Sequence, residues 1–480
     1  MEENKGSTTA KFLVVFCPLL VGITKHQSGF VIGWSAALPK IQADNSTSLE
    51  VADNDVKWLI SLTGIAGMVG TLATGPIIET FGPRRILTWI QIPAILFWLT
   101  SAFTPYLSLL YFGRIGLCSI LIISGPLNPL LVAELSDPKI RGAMLAAEEI
   151  AVATGMLIMY AMVQKLYWVT ATALAALPAS VQFLLSFCLP ESPFWDARNG
   201  HHKKAEAALM KLRFSKAEAK EEFETLLSSV QAKSQSTVLE QIRELKHCRN
   251  YRPVFLLLAI YTLRELGGEF IFFNYTVYMF EKAKVQIDPF MCTILVGVTR
   301  TIASITLAFL LDRIGRRPLL IGTTLVCALA SLICGVFLLL DLPKASWVPL
   351  AAILMYVASY GFGLGPIPWG LTGEMIPTPV RAIGGSICLF GYSVSVFAMS
   401  YLFPAMTEHL GMGLTCLSFT ASLFALSIIL FRWFPETKGT TLNTLEGAFR
   451  RKGKTKQQVF TVSGNLENSQ DITGCEVTKF

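Results

Sequence analysis

The sequence predicts an all-α membrane protein: twelve transmembrane helices in two pseudo-symmetric six-helix bundles, plus a cytoplasmic helical insert. Three observations predict it, namely apolar runs of bilayer length, basic residues in every second connection, and motifs that occur once in each half. Of 480 residues, 52% are hydrophobic and 15% charged, against about 25% charged in a typical soluble domain. The charges collect in short clusters between apolar runs such as 12–20, 86–103, 319–340 and 416–430.

A run of roughly 20 apolar residues spans a ~30 Å hydrocarbon core as a helix. Extended to their flanking charges, the runs give spans at about 11–38, 58–78, 86–104, 107–133, 142–164, 168–189, 253–280, 290–311, 318–340, 346–371, 382–403 and 411–433. A soluble helical core needs polar helix faces, which these segments lack. Between the sixth and seventh spans, residues 196–250 turn rich in Lys, Glu, Ala and Leu, with helical spacing over 203–213, 216–230 and 238–247. That spacing predicts short amphipathic helices. The chain therefore divides into a first bundle (1–195), a helical linker (196–250), a second bundle (251–440) and a tail (441–480).

Orientation follows from the basic residues. They occupy alternate connections: Arg84 and Arg85, Lys139 and Arg141, Arg313, Arg316 and Arg317, Arg381, and the tail from Arg450 to Lys456. An excess of Lys and Arg marks the cytoplasmic side, so both termini are expected inside. The positions of these residues account for the formal charge of +7 without an anionic or nucleic-acid partner, although the tail's basic stretch also suits anionic lipid. Asn45-Ser46-Thr47 is a glycosylation sequon in the first outside loop, whereas the sequon at Asn274 falls within a span and is expected to be unused. The polar opening Met1-Glu-Glu-Asn-Lys-Gly predicts a first span that stays in the membrane rather than a cleaved leader. Ten scattered cysteines read as small buried hydrophobes.

The two halves repeat. Glu79-Thr-Phe-Gly-Pro-Arg-Arg85 after the second span matches Asp312-Arg-Ile-Gly-Arg-Arg317 after the eighth. Glu134 precedes Arg141 by seven residues, as Glu374 precedes Arg381. Pro190-Glu-Ser192 and Pro435-Glu-Thr437 close the sixth and twelfth spans. Repeats of this kind build a site at the bilayer midplane and rock around it. With Gly113-Arg114, Gly142, Pro193, Gly363-Leu-Gly365-Pro-Ile-Pro-Trp369 and Lys438-Gly439, the ordered set resembles the sugar porter family of the major facilitator superfamily over nearly the whole chain. Gly33-Trp-Ser and Leu38-Pro39 look most like arthropod members, among them facilitated trehalose transporters.

The resemblance implies facilitative transport of a hexose or trehalose-like disaccharide across the cell membrane by alternating access. It implies a cytoplasmic gate in which Glu134, Arg141 and the pair Arg84–Arg85 engage Glu374, Arg381 and Arg316 across the halves. Trp369, within a helix loosened by two glycines and two prolines, resembles the residue that packs beside the sugar. At the binding positions the chain departs from the family. Where sugar porters carry span-7 amides, it has Arg264-Glu265-Leu266-Gly267-Gly268-Glu269-Phe270; a span-5 Gln is Glu149, a span-11 Asn is Tyr392, and span 8 carries Arg300.

At 1.5 Å per residue, Glu149 lies about 12 Å from Arg141, Arg264 about 16 Å from Pro253, and Arg300 about 18 Å from Asp312. All three fall near the midplane, where a lone charge costs at least ~2.5–3.5 kcal/mol and faces a cavity or a partner. Three readings stay open: Arg264 pairs with Glu149 or Glu265 and the site takes a sugar; the charges serve a zwitterion, an organic anion or proton coupling; or a salt-bridged plug makes a non-transporting sensor. The Asp of proton-linked relatives is Ser35 here, which favours a facilitator. The sequence has no phosphate loop, metal cluster or nucleophile motif, so no enzyme activity, cofactor or metal is expected. The expected partners are a small-molecule substrate and the lipid bilayer.

Overall fold

A computed structural model describes residues 8–47, 49–232, 238–340 and 346–436. The expected tail, 441–480, lies outside the described residues. Among those described, the regular structure is helical. Helix α1 (Thr8–Gly33) runs through one 3₁₀ turn into α2 (Leu38–Gln42), followed by α3 (Asp53–Phe81), α4 (Pro83–Trp89), α5 (Gln91–Phe103), α6 (Leu107–Leu135), α7 (Arg141–Lys165), α8 (Trp168–Leu174) and α9 (Ala176–Ser186). Four shorter helices follow: α10 (Pro193–Arg198), α11 (His202–Leu212), α12 (Lys216–Ala232) and α13 (Val238–Leu245). The second set comprises α14 (Cys248–Leu266), α15 (Glu269–Asn274), α16 (Thr276–Lys282), α17 (Pro289–Ile314), α18 (Arg316–Leu340), α19 (Val348–Ser359), α20 (Ile367–Met375), α21 (Arg381–His409) and α22 (Gly411–Trp433).

Eleven helical stretches among the described residues are long and apolar enough to cross a bilayer. The expected span 253–280 is not one of them. Its helix breaks between Leu266 and Glu269, and again at Tyr275, and it carries Arg264, Glu265 and Glu269. Gly268 makes the first break possible: its φ is +88°, and an added Cβ would lie 2.6 Å from the Phe419 ring. Only glycine adopts that backbone without strain. The other spans carry the mark of lipid contact on their outer faces, where Val69, Leu184, Phe309, Ile428 and Phe431 stand exposed. Inside lies one large apolar core fed by both helix sets. The eight cysteines whose side chains are described form no disulfide, and all but Cys188 are buried.

The duplicated motifs build the same local structure twice. After α3, the backbone N–H of Arg84 donates to Glu191 Oε1 at 2.9 Å; after α17, those of Arg316 and Arg317 donate to the Glu436 carboxylate at 3.2 Å each. A carboxylate at a helix N-terminus satisfies orphan donors and meets the positive end of the helix dipole. Each junction turns on a glycine of positive φ, Gly82 at +88° and Gly315 at +96°. A Cβ at either would press on the capping carboxylate, 3.2 Å away in both cases. The two Pro-Glu motifs thus cap the helix that begins four residues after Glu79 and four after Asp312.

The linker helices dock on the end of the molecule where these motifs lie. Arg213 of the α11–α12 turn pairs with Glu222 at 2.6 Å and donates to the Glu134 carbonyl, while Asp137 accepts the Phe214 N–H. Lys139 reaches Glu218 at 2.9 Å, and α13 offers Gln241 to the N–H of Ile383. At the opposite end the two six-helix sets meet each other. Trp58 packs edge-on to Tyr401 with centroids 5.1 Å apart, Lys40 lies over Phe290, and Gln164 donates to Asp288 at 3.4 Å.

Candidate functional site

The breaks in α14–α16 and α19–α20 lie against each other and hold most of the charges expected at midplane. Between α19 and α20 the chain passes through a π-helical turn, Tyr360–Leu364, which frees backbone carbonyls. Non-helical backbone at this depth is tolerated where protein groups or a cavity satisfy it. Arg264 supplies that: its Nη1 donates to the Gly365 carbonyl at 3.1 Å, while Nη2 and Nε donate to Glu265 Oε1 at 3.1 and 3.3 Å. Glu269, from beyond the glycine break, places Oε2 2.7 Å from Arg264 Nε. Its Oε1 accepts the Tyr360 hydroxyl. The Arg264 guanidinium also faces three rings, Tyr261, Trp369 and Tyr392, each with its centroid 5.5 Å away. Cation–π contacts of this kind are worth about 2 kcal/mol when desolvated.

Arg300 makes a second centre. It stacks on Tyr360 at 4.5 Å and Phe273 at 5.3 Å, and its Nη2 reaches Glu149 Oε2 at 3.4 Å. That last pair joins α7 of the first set to α17 of the second. Of the two expected partners of Arg264, Glu265 is the one it meets, together with Glu269 in the same half, and Glu149 meets Arg300 instead. Exposure differs across the group. Arg264 and Glu265 are fully buried, the Glu149 side chain is 31% exposed, and Trp369 is 40% exposed although it packs on buried rings. Trp369 and Glu149 are therefore accessible, whereas Arg264, which faces the Trp369 ring, is not. Phe270 belongs to the apolar core, and its carbonyl accepts the Asn274 amide.

Sequence reasoning missed several neighbours. Glu269 stands in the quoted charged stretch and signals itself by its spacing of four from Glu265. Tyr261, Phe273 and Tyr360 read as ordinary core aromatics, and the Gly365 carbonyl carries no sequence signal. Buried Arg114 donates to the Val31 and Leu59 carbonyls and to Ser35 Oγ, which in turn donates to Asn274 Oδ1 at 2.8 Å. Asn274 is thereby fixed inside the protein, 4% exposed.

The gate residues gather at the linker end but pair differently from expectation. Arg316 pairs with Glu374 at 2.9 Å, both from the second set. Arg85 faces Glu191 at 3.9 Å and lies over Trp195, and Arg84 donates to the Ser186 and Phe187 carbonyls, all within the first set. Glu134 accepts the Ser192 hydroxyl. Arg141 is half-buried with its Nε lacking a partner, and Arg381 Nε donates to the Ile376 carbonyl. These contacts brace each half separately. Burial in this cluster pushes the Glu191 carboxyl above its usual range, against the pull of the Arg84 and Ser192 N–H groups. Asn45, on the other end, is exposed in a turn whose Asp44 accepts from Ser46, Tyr167 and Trp168.

A family model described as Sugar (and other) transporter matches residues 14–449. The chain belongs to that family. A protein named facilitated trehalose transporter Tret1 from Aedes aegypti is 28% identical over 91% of this chain and 56% of its own length. Its namesake from Apis mellifera ligustica is 25% identical over 90% of this chain and 88% of its own length. This chain thus spans little more than half of the mosquito relative. Among solved structures, the proton:xylose symporter XylE bound to 6-bromo-6-deoxy-D-glucose superposes with a TM-score of 0.77 at 19% identity, covering 92% of this chain and 99% of that one. Inward-open XylE from E. coli gives 0.73 at 20% identity, covering 90% and 99%. At such identity the likeness establishes the fold, that of major facilitator transporters.

Proposed function

We propose that the chain is a facilitative transporter of a hexose or a trehalose-like disaccharide, working by alternating access without covalent chemistry. The observation that carries this reading is the cross-half pair Glu149–Arg300, linked through Tyr360, Glu269 and Arg264 to the partly exposed Trp369 in a duplicated bundle. A polar pair between the halves gives hydroxyl groups both donors and acceptors, and Trp369 with Tyr392 presents the ring faces that suit the C–H side of a sugar. The names of the trehalose transporters supply the sugar class. Ser35 supports a uniporter, since Arg114 faces a hydroxyl there rather than a carboxylate.

In this reading the linker end is cytoplasmic, both termini lie inside, Asn45 is glycosylated on the outside, and the chain resides in the cell membrane. The domain division keeps the limits 1–195, 196–250 and 251–440, with the linker helices bracing the inner face. Contacts between the halves at the Trp58–Tyr401 end then correspond to a state closed to the outside. The residues at the linker end act as the inner gate through their intra-half pairs, Arg316 with Glu374 and Arg85 with Glu191, which hold each half rigid as it swings.

A second reading, a zwitterionic cargo, draws on the same pair, because a solute bearing both charges would exchange with Glu149 and Arg300. Uptake of labelled glucose, trehalose, amino acids and organic anions into cells expressing the chain separates the two. Saturable sugar uptake supports the first reading. Uptake confined to amino acids refutes it, and no uptake of any solute points to a sensor.

A further inference from the structure

Glu265 and Glu269 stand on either side of the α14–α15 break and share one guanidinium, that of Arg264. The side chains of Arg264 and Glu265 are fully buried and that of Glu269 is 12% exposed. Arg264 aims its Nε–H and Nη2–H at Glu265 Oε1, and Glu269 Oε1 takes the Tyr360 hydroxyl. Glu265 Oε2 receives no hydrogen bond, and Glu269 Oε2 has only its 2.7 Å ion-pair contact with Arg264 Nε, so the two carboxyl groups gather on one guanidinium. Ionised carboxylates carry acceptors only, so the two hydrogen-bond to each other only when one of them holds a proton.

Arg300 is paired with Glu149 and stacked on Tyr360, and its Nη1 has no hydrogen-bond partner. The Tyr261 hydroxyl lies 3.0 Å from both the Pro368 carbonyl and Thr372 Oγ1, and Tyr356 donates to the Gly267 carbonyl at 2.9 Å. Tyr392 and Trp369 present ring faces to Arg264. Arg264 and Arg300 against Glu265, Glu269 and Glu149 leave one carboxylate in excess in a largely buried cluster, a state proteins avoid by neutralising a group. Glu269 holds the shorter contact to the guanidinium and the tyrosine donor, so it is the ionised member.

We propose that this pair is a binding site for one proton, carried on Glu265 Oε2 and donated to the Glu269 carboxylate. Because Glu265 is sealed from both faces, the proton is resident. It belongs to the fold of the second half and is not passed during transport. The inference does not depend on which solute is carried.

The test uses the full chain purified in detergent, with Glu265→Gln and Glu269→Gln variants. Glutamine mimics a protonated glutamate, so E265Q should melt within about a degree or two of the parent, whereas E269Q should melt several degrees lower. Infrared difference spectra between parent and E265Q at neutral pH should show loss of one neutral carboxyl absorption. Parent and E265Q spectra that match in the neutral-carboxyl region overturn the proposal, as does an E265Q that melts as low as E269Q. The infrared comparison stands even if E269Q does not fold.

Discussion

Glu149 and Arg300 come from different helix sets, and each is the other's nearest opposite charge. Breaking a buried pair by removing one partner leaves an uncompensated charge. Glu149→Gln alone should therefore reduce transport roughly tenfold or more, and Glu149→Gln with Arg300→Gln should recover part of the loss. A double variant as poor as the product of the singles would show that the two do not act as a pair. The sequence placed both residues at a similar helical rise from their cytoplasmic ends, and the structure brings them together. The sequence could not say which cation Glu149 meets, because that depends on how α7 packs on α17. Asp44 offers a second test at this scale. Hydrogen bonds from Ser46, Tyr167 and Trp168 hold its carboxyl far below the usual range. A carboxyl depressed in the folded state stabilises above its unfolded pKa of about 3.9 and loses that contribution as pH falls through the folded value. The melting gap between the parent and Asp44→Asn should be constant at neutral pH and narrow as pH drops below about 4. A gap that widens on acidification contradicts the assignment.

The seventh span shows what an element's sequence conceals. Composition predicted a continuous helix over 253–280, and the chain instead breaks at Gly267–Gly268 to bring Glu269 back onto Arg264. Two adjacent glycines beside three charges are the legible signal; the positive φ of Gly268 and the Phe419 ring against it are tertiary facts. Gly268→Ala should destabilise by about 1–3 kcal/mol, the usual cost of holding a sparsely populated backbone, and it should lower uptake, measured by thermal melting and transport assay together. A neutral effect on both would mean that the break is not required. The helix caps are the opposite case. The paired motifs were visible as repeats, yet their role as caps from Glu191 and Glu436 emerges only when the ends of α9 and α22 fold back on α4 and α18. Glu436→Ala should cost about 0.5–2 kcal/mol, as the loss of a helix cap does; no change in melting would argue against the cap.

Across the whole molecule, eleven of the twelve expected spans, the duplication and the linker helices were readable because each rests on local periodicity or on spacing along the chain. The pairing of the gate was not, because family resemblance carries residues over without their conformational state. Arg316 and Glu374 meet within one half, and the sets touch at the far end through Trp58 with Tyr401 and Gln164 with Asp288. A carrier that rocks about a central site must part those outer contacts in every cycle. The most direct measurement is sugar uptake by proteoliposomes holding a Trp58→Cys, Tyr401→Cys variant, before and after a short, reducible bis-thiol bridge joins the two positions. Uptake that stops on bridging and returns on reduction is the predicted result, and uptake that continues at full rate with the bridge closed would contradict it.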